Sequence, residues 1–459
     1  MSRLPKILSF DGRLARLPYA LLSLFLLAVV YAPAVAIGFE DDDYSFSMIF
    51  SIISPLRAWL YAAWQMESLP AAAILQLAFL AVLVMLFWLL VALAFRRTAD
   101  ARLDPWIAAF VMAPVIQVPV ILCLCVVPTR LGDPDEAPPL PRRAEQIFVW
   151  RSIAAGVVAG GALTLAAVAL GALVFGSYGY GMFVLSPFII GAVTAYIGNR
   201  SQDLGAQRTL QIVLAALGVG GVALVATALE GIVCIVIAAP LAILLAWLGG
   251  LLGRTIANAA QGRRSNTVYA LALIPLMFST ENLLPAETDF ATVQRIEVAA
   301  PPDRVWQALI RMDRIDGELA LPFRLGVAYP IRGVIDGAGV GAIRRGEFST
   351  GTALERVTAW EPGRKLAFVV ATDVPAMREL SPYEHVHAPH IEGYFRTGET
   401  SFVLNEMPDG HTEIVERTAH TLRLDPILYW LPLARWVVAE NNARVLASLK
   451  HRAERAPRD

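Results

Sequence analysis

The sequence predicts a multi-span α-helical membrane region followed by a soluble α+β domain, in which a curved antiparallel sheet surrounds a long C-terminal helix. The 459-residue chain is 56% hydrophobic and 17% charged, with a mean hydropathy of +0.56. Residues 1–285 hold 17 Lys and Arg and 15 Asp and Glu, whereas the remaining residues hold 21 and 24. Long apolar runs stop near Pro285, where short alternating runs begin. These two patterns are typical of membrane helices and of half-buried strands.

This composition excludes a disordered chain, a nucleic-acid-binding protein and a plain cytosolic enzyme. The net charge of −1 provides no basic field for a polyanionic partner. Cys123, Cys125 and Cys234 lie inside apolar runs, so we interpret them as small hydrophobic residues. We therefore expect no disulfide framework, no metal site and no cofactor.

A membrane span needs about 20 apolar residues, and the first candidate is Leu17–Gly38. Basic residues precede it and an acidic run follows, which predicts a cytoplasmic N-terminus. A signal peptide is disfavoured because the basic segment is long and contains Asp11. Ser45–Trp64 is broken by Pro55 and Arg57, so we expect an interfacial or re-entrant helix. The other candidate spans are Ala71–Phe95, Trp106–Val127, Ile153–Phe175, Met182–Ile197, Thr209–Leu229, Gly231–Gly253 and Val268–Leu284.

Trp106–Val127 decides the predicted topology, because it carries Pro114 and Pro119 near its middle. If it enters and returns through one face, every loop arginine lies on the cytoplasmic side, as the positive-inside rule favours. The number of spans is then odd, which places the soluble domain outside the cytoplasm. If Val268–Leu284 lies on the surface instead of crossing, the soluble domain is cytoplasmic.

Composition divides the chain into four parts. We predict a membrane module over residues 1–130, a proline-rich linker over 131–151, a second helical membrane module over 152–285 and a soluble domain over 286–459.

Two short motifs in the first module are similar to those of a known family. Phe10-Asp11-Gly12-Arg13, with Arg16 three residues later, precedes the first span, and Arg96-Arg97-Thr98-Ala99-Asp100 precedes a second apolar segment. Residues 7–130 resemble domain-of-unknown-function family 805 of bacterial inner-membrane proteins, although Thr98 and Ala99 stand where that family has Leu and His. The resemblance implies location in a bacterial inner membrane and no established chemistry. We expect the arginines to contact lipid headgroups, namely Arg13, Arg16, Arg96 and Arg97.

After Pro285 the elements become short. A strand is predicted over Thr292–Val298, a helix from Ala300 to Met312, and a long amphipathic helix from Pro426 to Arg455. Six strands lie between the helices, near Gly326–Ile335, Val340–Phe348, Thr352–Trp360, Lys365–Thr372, Tyr394–Leu404 and Thr412–Leu424. The last helix is long enough to cover the concave face of such a sheet and to enclose an apolar cavity.

Two segments of this domain resemble another known group. Residues 296–306 (Ile-Glu-Val-Ala-Ala-Pro-Pro-Asp-Arg-Val-Trp) and 358–368 (Thr-Ala-Trp-Glu-Pro-Gly-Arg-Lys-Leu-Ala-Phe) are similar to segments of the START-like superfamily, also called SRPBCC, of polyketide cyclases, dehydrases and lipid-transport proteins. The resemblance covers residues 290–455. It implies the helix-grip fold and leaves the function open, because this fold hosts carriers and enzymes alike.

Candidate functional residues follow from this cavity. His385, His387 and His390 form the sharpest cluster, which we weigh as a metal site, as pocket-lining or acid–base groups, and as a solvated loop. Arg345, Glu347 and Glu399 are expected mainly in surface salt bridges. The cavity candidates are Trp306, Phe348, Phe368, His385, His387, His390, Tyr394, Tyr429, Trp430, Leu433, Trp436 and Val437. We predict no catalytic residue.

Three functions compete on this evidence. The preferred hypothesis is a membrane-anchored binding protein whose soluble domain holds an apolar or lipid-like small molecule. The alternatives are a cyclase- or dehydrase-like enzyme acting on a polyketide-like or other hydrophobic substrate, and a structural or signalling protein whose soluble domain binds another protein. The expected partners are the lipid bilayer and a hydrophobic ligand, with no nucleic acid.

Overall fold

The computed structural model describes residues 9–10, 12–37, 72–129, 146–260, 268–283, 287–383, 386 and 388–455. The chain forms two units. The first comprises residues 1–230, 235–285 and 425–429, and the second comprises residues 231–234, 286–424 and 430–459. The segment 45–64 and most of the proline-rich linker lie outside the described residues.

The first unit is helical. Its helices are α1 (Arg16–Ile37), α2 (Ala72–Ala101), α3 (Pro114–Val126), α4 (Gln146–Ala169), α5 (Ser186–Asn199), α6 (Gly205–Ala226), α7 (Ile232–Ala260) and α8 (Val268–Leu283). The first three residues of α7, up to Cys234, belong to the second unit. Short π-helical turns continue α4 to Phe175 and lead into α5 from Gly181. Among the described residues, six stretches are long and apolar enough to cross a membrane: Arg16–Pro33, Ala81–Ala101, Val149–Phe175, Gly181–Asn199, Gly205–Ala226 and Ile232–Ala259. The predicted series of long apolar helices before the soluble domain is confirmed, and six of the eight candidate spans correspond to these stretches; Trp106–Val127 and Val268–Leu284 do not.

The segment after α2, residues 105–126, forms a hairpin that returns to the C-terminal end of α2. A 3₁₀ helix over Pro105–Met112 is followed by an extended residue, Ala113, and then by α3. Proline at the start of α3 explains this break, because its ring disfavours a helical conformation in the residue before it. At the far end of α3 the Thr129 hydroxyl donates to the Asp100 carboxylate at 2.7 Å. Residues 105–126 therefore leave the end of α2 and return to it.

Helix α8 ends at the opposite end of the unit from the last turns of α7. Near the C-terminus of α7, Arg254 donates to Asp203 in the loop between α5 and α6, at 2.6 Å. At the end of α8, Glu281 accepts hydrogen bonds from the Ser177 hydroxyl (2.9 Å) and the Gly181 N–H (2.7 Å). The hydroxyl of neighbouring Tyr178 donates to Glu230, just before α7, at 2.8 Å. The chain thus leaves α8 at the end where α7 begins.

The second unit contains one eight-stranded antiparallel sheet in the order β1-β8-β7-β6-β5-β4-β3-β2. Its strands are β1 (Thr288–Val298), β2 (Arg311–Met312), β3 (Pro330–Asp336), β4 (Ile343–Phe348), β5 (Gly351–Glu361), β6 (Lys365–Thr372), β7 (Phe395–Glu406) and β8 (Thr412–Leu422). Its helices are α9 (Pro302–Ile310), α10 (Leu321–Arg324) and α11 (Ile427–Arg455).

The hydrophobic core lies between the sheet and α11. Val445, Leu446 and Leu449 of α11 pack with Phe402 and other buried residues of the sheet and of α9. Inward and outward residues alternate along each strand, so this packing fixes which face of the sheet is covered. The helix-grip fold, in which a curled antiparallel sheet holds a long C-terminal helix, is confirmed.

Strand limits differ from the prediction in several places. β1 begins at Thr288, four residues before the predicted start, and β2 (Arg311–Met312) occupies the predicted end of a helix. The strand expected over Gly326–Ile335 begins only at Pro330, because the short helix α10 precedes it. The strand expected from Val340 begins at Ile343, because Gly337, Gly339 and Gly341 all have positive φ and form the turn before it. Positive φ is costly for other residues. Because these three glycines adopt it, the turn extends to Gly341 and the strand begins later than predicted.

Candidate functional site

The covered face of β8 carries two titratable side chains. Thr412, Ile414, Glu416, Thr418, His420 and Leu422 are all buried on this strand. Because side chains alternate in a strand, Glu416 and His420 share the face of Ile414 and Leu422. Ile414 belongs to the core covered by α11. Glu416 and His420 therefore point into the apolar interior of the second unit.

An ion pair lies on the same inner face of the sheet. Arg344 of β4 is directly opposite Glu355 of β5 in the register, and the two side chains form a salt bridge with only 10% and 5% exposure. The guanidinium also lies 4.4 Å from the centre of the Phe368 ring. Gly333 of β3 leaves room for this arginine, since a Cβ there would lie 2.2 Å from its Nη2.

Glu416 is 3% exposed, and its Oε2 has no hydrogen-bond partner among the residues that the structure describes. Burial raises the pKa of Glu416 to about 8, although the charge of Arg344 acts in the opposite direction. The carboxyl group is therefore mostly protonated at neutral pH. In that form it can donate one hydrogen bond and accept others.

His420 is 5% exposed and lies between two aromatic rings. Its ring centre is 5.1 Å from that of Phe290 and 5.0 Å from that of Phe395. Neither ring nitrogen has a hydrogen-bond partner within the described part of the chain. Burial lowers the pKa of His420 to about 4, so the imidazole is neutral at pH 7. It offers one donor and one acceptor.

The inner face combines aromatic rings with two buried hydrogen-bonding groups. Phe290, Phe368 and Phe395 provide aromatic surface, while Glu416 and His420 provide neutral hydrogen-bonding groups. Such a combination suits a small molecule with an apolar body and a hydroxyl or carbonyl group. A buried neutral carboxyl group can also act as a general acid.

The sequence prediction missed Arg344, Glu355, Glu416 and His420. The signal that could have revealed the last two is the parity of β8, in which Ile414 and Leu422 identify the covered face. The charged residues singled out instead face outward: Arg345 pairs with Asp336 at 2.6 Å and Glu347 with Arg332 at 2.5 Å, all partly exposed. Glu399 is exposed as well.

The predicted cavity residues are dispersed. Trp306 and Phe368 are buried in the core. Phe348, Tyr394, Trp430, Leu433 and Val437 are half-buried. Trp436 is 47% exposed, because the covered face of α11 carries Leu431, Val438 and Leu446 instead. Tyr429 belongs to the first unit, where its hydroxyl donates to the Ile237 carbonyl at 2.5 Å.

His390 lies in a short 3₁₀ turn, Pro389–Ile391, between β6 and β7 and is not a residue of the sheet. Its Nε2 lies 2.6 Å from Cys234 Sγ within the second unit. Burial lowers its pKa to about 4. His385 and His387 lie outside the described residues.

The four arginines expected at lipid headgroups divide into two kinds. Arg13 and Arg16 are exposed, and Arg96 is half-buried. Arg97 is fully buried and donates to the Leu124 carbonyl at 3.0 Å, to the Val127 carbonyl and to Asp100. Arg97 therefore donates hydrogen bonds to the last carbonyls of α3. This structural role differs from the expected contact with lipid headgroups.

A scan against models of protein families finds no match, and a search of curated proteins finds none either. The likeness of residues 7–130 to family 805 therefore has no support beyond its two motifs.

Several solved structures are similar to the second unit at low identity. The ZhuI aromatase/cyclase from Streptomyces sp. R1128 is 17% identical, with 37% of this chain and 97% of that chain covered and a TM-score of 0.25. Norcoclaurine synthase from Thalictrum flavum is 12% identical, with 38% and 98% covered and a TM-score of 0.26. The Aha1 protein from Colwellia psychrerythraea is 20% identical, with 37% and 99% covered and a TM-score of 0.22.

Proposed function

We propose that this chain is a multi-pass membrane protein whose second unit binds an amphipathic, lipid-like small molecule between its sheet and α11. One observation carries the proposal: Glu416 and His420 are buried on the inner face, yet Glu416 Oε2 and both His420 nitrogens have no hydrogen-bond partner among the described residues. A buried polar group without a partner costs about 1–3 kcal/mol. A ligand hydroxyl or carbonyl would offset that cost.

Aromatic residues define the apolar part of the proposed ligand. Phe290 and Phe395 flank His420, and Phe368 lies under Arg344. A hydrocarbon chain or fused ring placed along them would gain about 25 cal/mol for each Å² of apolar surface removed from water. The buried charge of Arg344 is already paired with Glu355, so this arginine does not require an anionic group on the ligand.

Membrane anchoring is supported by the helices of the first unit. Several large apolar side chains on its outer surface are exposed, including Leu17, Phe25 and Trp150 at 66–68% and Val222 at 71%. Apolar surface of this kind is stable in a lipid environment and costly in water. A ligand of low aqueous solubility would be supplied by the same bilayer.

The path of the chain supports one topology. Residues 105–126 return to the end of α2 and would enter the bilayer without crossing it. Helix α8 ends beside Glu230 and the 177–181 loop, away from Arg254. If the arginine-rich ends are cytoplasmic, and the 16-residue helix α8 crosses in addition to the six stretches given above, the number of crossings is odd and the second unit lies outside the cytoplasm.

A second candidate function is catalysis on a hydrophobic substrate, as in a cyclase or dehydrase. The observation that favours it is the mostly protonated carboxyl group of Glu416 in an apolar interior, because such a group can protonate a substrate carbonyl. It predicts loss of turnover, with ligand binding retained, in a Glu416→Gln variant.

Ligand extraction tests the binding proposal. The full chain is purified in lipid nanodiscs, extracted with solvent and studied by mass spectrometry beside empty nanodiscs of the same lipids. We expect one co-purifying species at about one molecule per chain, and at least tenfold less in a His420→Leu variant. Glu413→Gln, on the outward face of β8, is the matched control and should retain the wild-type amount.

Two results would contradict the proposal. One is an extract indistinguishable from that of empty nanodiscs, with no saturable uptake of added fatty acids or isoprenoids by the chain. The other is equal ligand content in the wild type, His420→Leu and a Glu416→Leu variant. A Glu416→Gln variant is the control for misfolding. Glutamine keeps the shape and hydrogen-bonding capacity of the protonated side chain, so this variant should fold and retain the ligand.

A further inference from the structure

Three side chains of metal-binding type meet in the second unit, outside the inner face of the sheet. The Sγ of Cys234 lies 2.6 Å from Nε2 of His390 and 2.5 Å from Oε1 of Glu379. The His390 Nε2 and Glu379 Oε1 atoms are 4.0 Å apart. A sulfur, a nitrogen and an oxygen donor thus converge on one point.

Neighbouring backbone holds this cluster in place. The N–H of Ile232 donates to the Leu380 carbonyl at 3.0 Å, which joins the 231–234 segment to the loop that carries Glu379. The backbone N–H groups of Val233 and Cys234 also donate to the Glu379 carboxylate. At Gly231 a Cβ would lie 1.9 Å from Glu379 Oε2, so the close approach of the carboxylate requires glycine there.

The cluster is shielded from water. The side chain of Glu379 is 1% exposed and that of His390 is 11% exposed. Cys234 is half-buried beside them. A buried carboxylate next to a thiol gains from a cation that both can share, because desolvation penalises an unpaired charge. Donors fixed by backbone hydrogen bonds also lose little freedom when they bind an ion.

We propose that Cys234, His390 and Glu379 bind one transition-metal ion, with Zn²⁺ as the reference ion. Thiolate and imidazole favour zinc-like ions over Mg²⁺ and Ca²⁺, which prefer all-oxygen sites. Typical Zn–S and Zn–N bonds of about 2.3 and 2.0–2.1 Å require the sulfur and nitrogen to separate to roughly 3.5 Å. The inference is independent of ligand binding by Glu416 and His420.

Metal content and cobalt spectroscopy test the site. The full chain, carrying an affinity tag without histidine, is treated with a chelator, dialysed and reloaded with Zn²⁺ or Co²⁺. We expect about one ion per chain and a near-ultraviolet thiolate-to-cobalt charge-transfer band. Cys234→Ser and His390→Asn should each weaken Zn²⁺ binding at least tenfold, and the first should abolish the band.

Matched variants and the wild-type spectrum keep the test decisive. Cys123→Ser changes an exposed cysteine of α3, and His411→Asn changes a half-buried histidine just before β8. Neither residue belongs to the cluster, so both variants should bind like the wild type. A wild-type chain with no thiolate-to-cobalt band overturns the proposal, even if Cys234→Ser fails to fold. Equal zinc content in the wild type, Cys234→Ser and His390→Asn overturns it as well.

Discussion

Arg344 and Arg345 are adjacent in sequence, and their salt bridges differ in burial. Arg344 pairs with Glu355 inside the second unit, and Arg345 pairs with Asp336 on its surface. Removal of one partner from a buried pair leaves an uncompensated charge and costs about 3–5 kcal/mol. An exposed pair contributes about 0–1 kcal/mol.

Arg344→Ala should therefore destabilise the second unit by about 3 kcal/mol, and Arg345→Ala by less than 1 kcal/mol. Hydrogen–deuterium exchange of the full chain measures this, because opening equilibria of β4 and β5 peptides can be followed separately from the helices. We expect exchange of those peptides to accelerate by roughly a hundredfold in Arg344→Ala only. Similar exchange in the two variants would contradict the structural contrast.

Glu416 makes the stability of the second unit depend on pH. Its pKa of about 8 in the folded chain lies above the value of about 4.3 expected when unfolded. The folded state then binds more protons, so this contribution to stability is complete below about pH 4.3 and is lost as the pH rises through about 8.

Glu416→Gln should remove that dependence, because an amide does not titrate. Between pH 5 and 8, the stability of the wild type relative to the variant should fall by up to about 1.4 kcal/mol per pH unit. Exchange of β8 peptides across this range is the measurement, and Glu413→Gln is the control. Parallel pH profiles for the wild type and Glu416→Gln would show that the carboxyl group is not buried as described.

At the residue scale, the fold was more predictable from sequence than the site. Strand β5 was predicted within one residue because its apolar residues alternate and turns bound it. In β8 threonine, glutamate and histidine occupy inward positions, so hydrophobic alternation is weak there and only Ile414 and Leu422 mark the covered face. Cys234 and His390 are 156 residues apart in sequence, and only the folded chain reveals their contact.

Among the helices, close packing depends on glycine. Gly249 of α7 approaches Phe188 of α5 so closely that an added Cβ would lie 1.9 Å from the Phe188 carbonyl oxygen. Gly218 of α6 has no atom within 4 Å of such a Cβ among the described residues. Gly249→Ala should cost about 1–3 kcal/mol through overpacking. Gly218→Ala should be neutral or stabilising by up to about 1 kcal/mol.

Thermal stability in detergent measures this difference. The fraction of each variant that remains monodisperse after heating should fall at a lower temperature for Gly249→Ala than for the wild type and Gly218→Ala. Coincident curves for all three would contradict the packing of α7 against α5.

The path of α8 and of residues 105–126 predicts where loops lie. A reporter that is active only outside the cytoplasm should be active when fused after residue 459 and inactive when inserted at Ser201. The reason is that the Asp203 and Glu281 ends of the helical unit are opposite each other. Activity at Ser201, or inactivity at 459, would contradict the proposed odd number of crossings.

At the scale of the whole molecule, composition and chemistry divide between the two units. The first unit contains the long apolar helices, and the second contains the helix-grip fold with its buried polar groups. The sequence alone predicted this division, because charge density and apolar run length both change near Pro285.

Photo-crosslinking tests the central claim, that a lipid-like ligand binds on the inner face of the sheet. The full chain in nanodiscs is irradiated with a fatty acid carrying a diazirine, and the modified residues are located by tandem mass spectrometry. Labels are expected on inward residues such as Phe290, Thr418 and Phe395, and excess unlabelled fatty acid should suppress them. Labels confined to the helices between residues 16 and 283, or unchanged by the competitor, would contradict the claim.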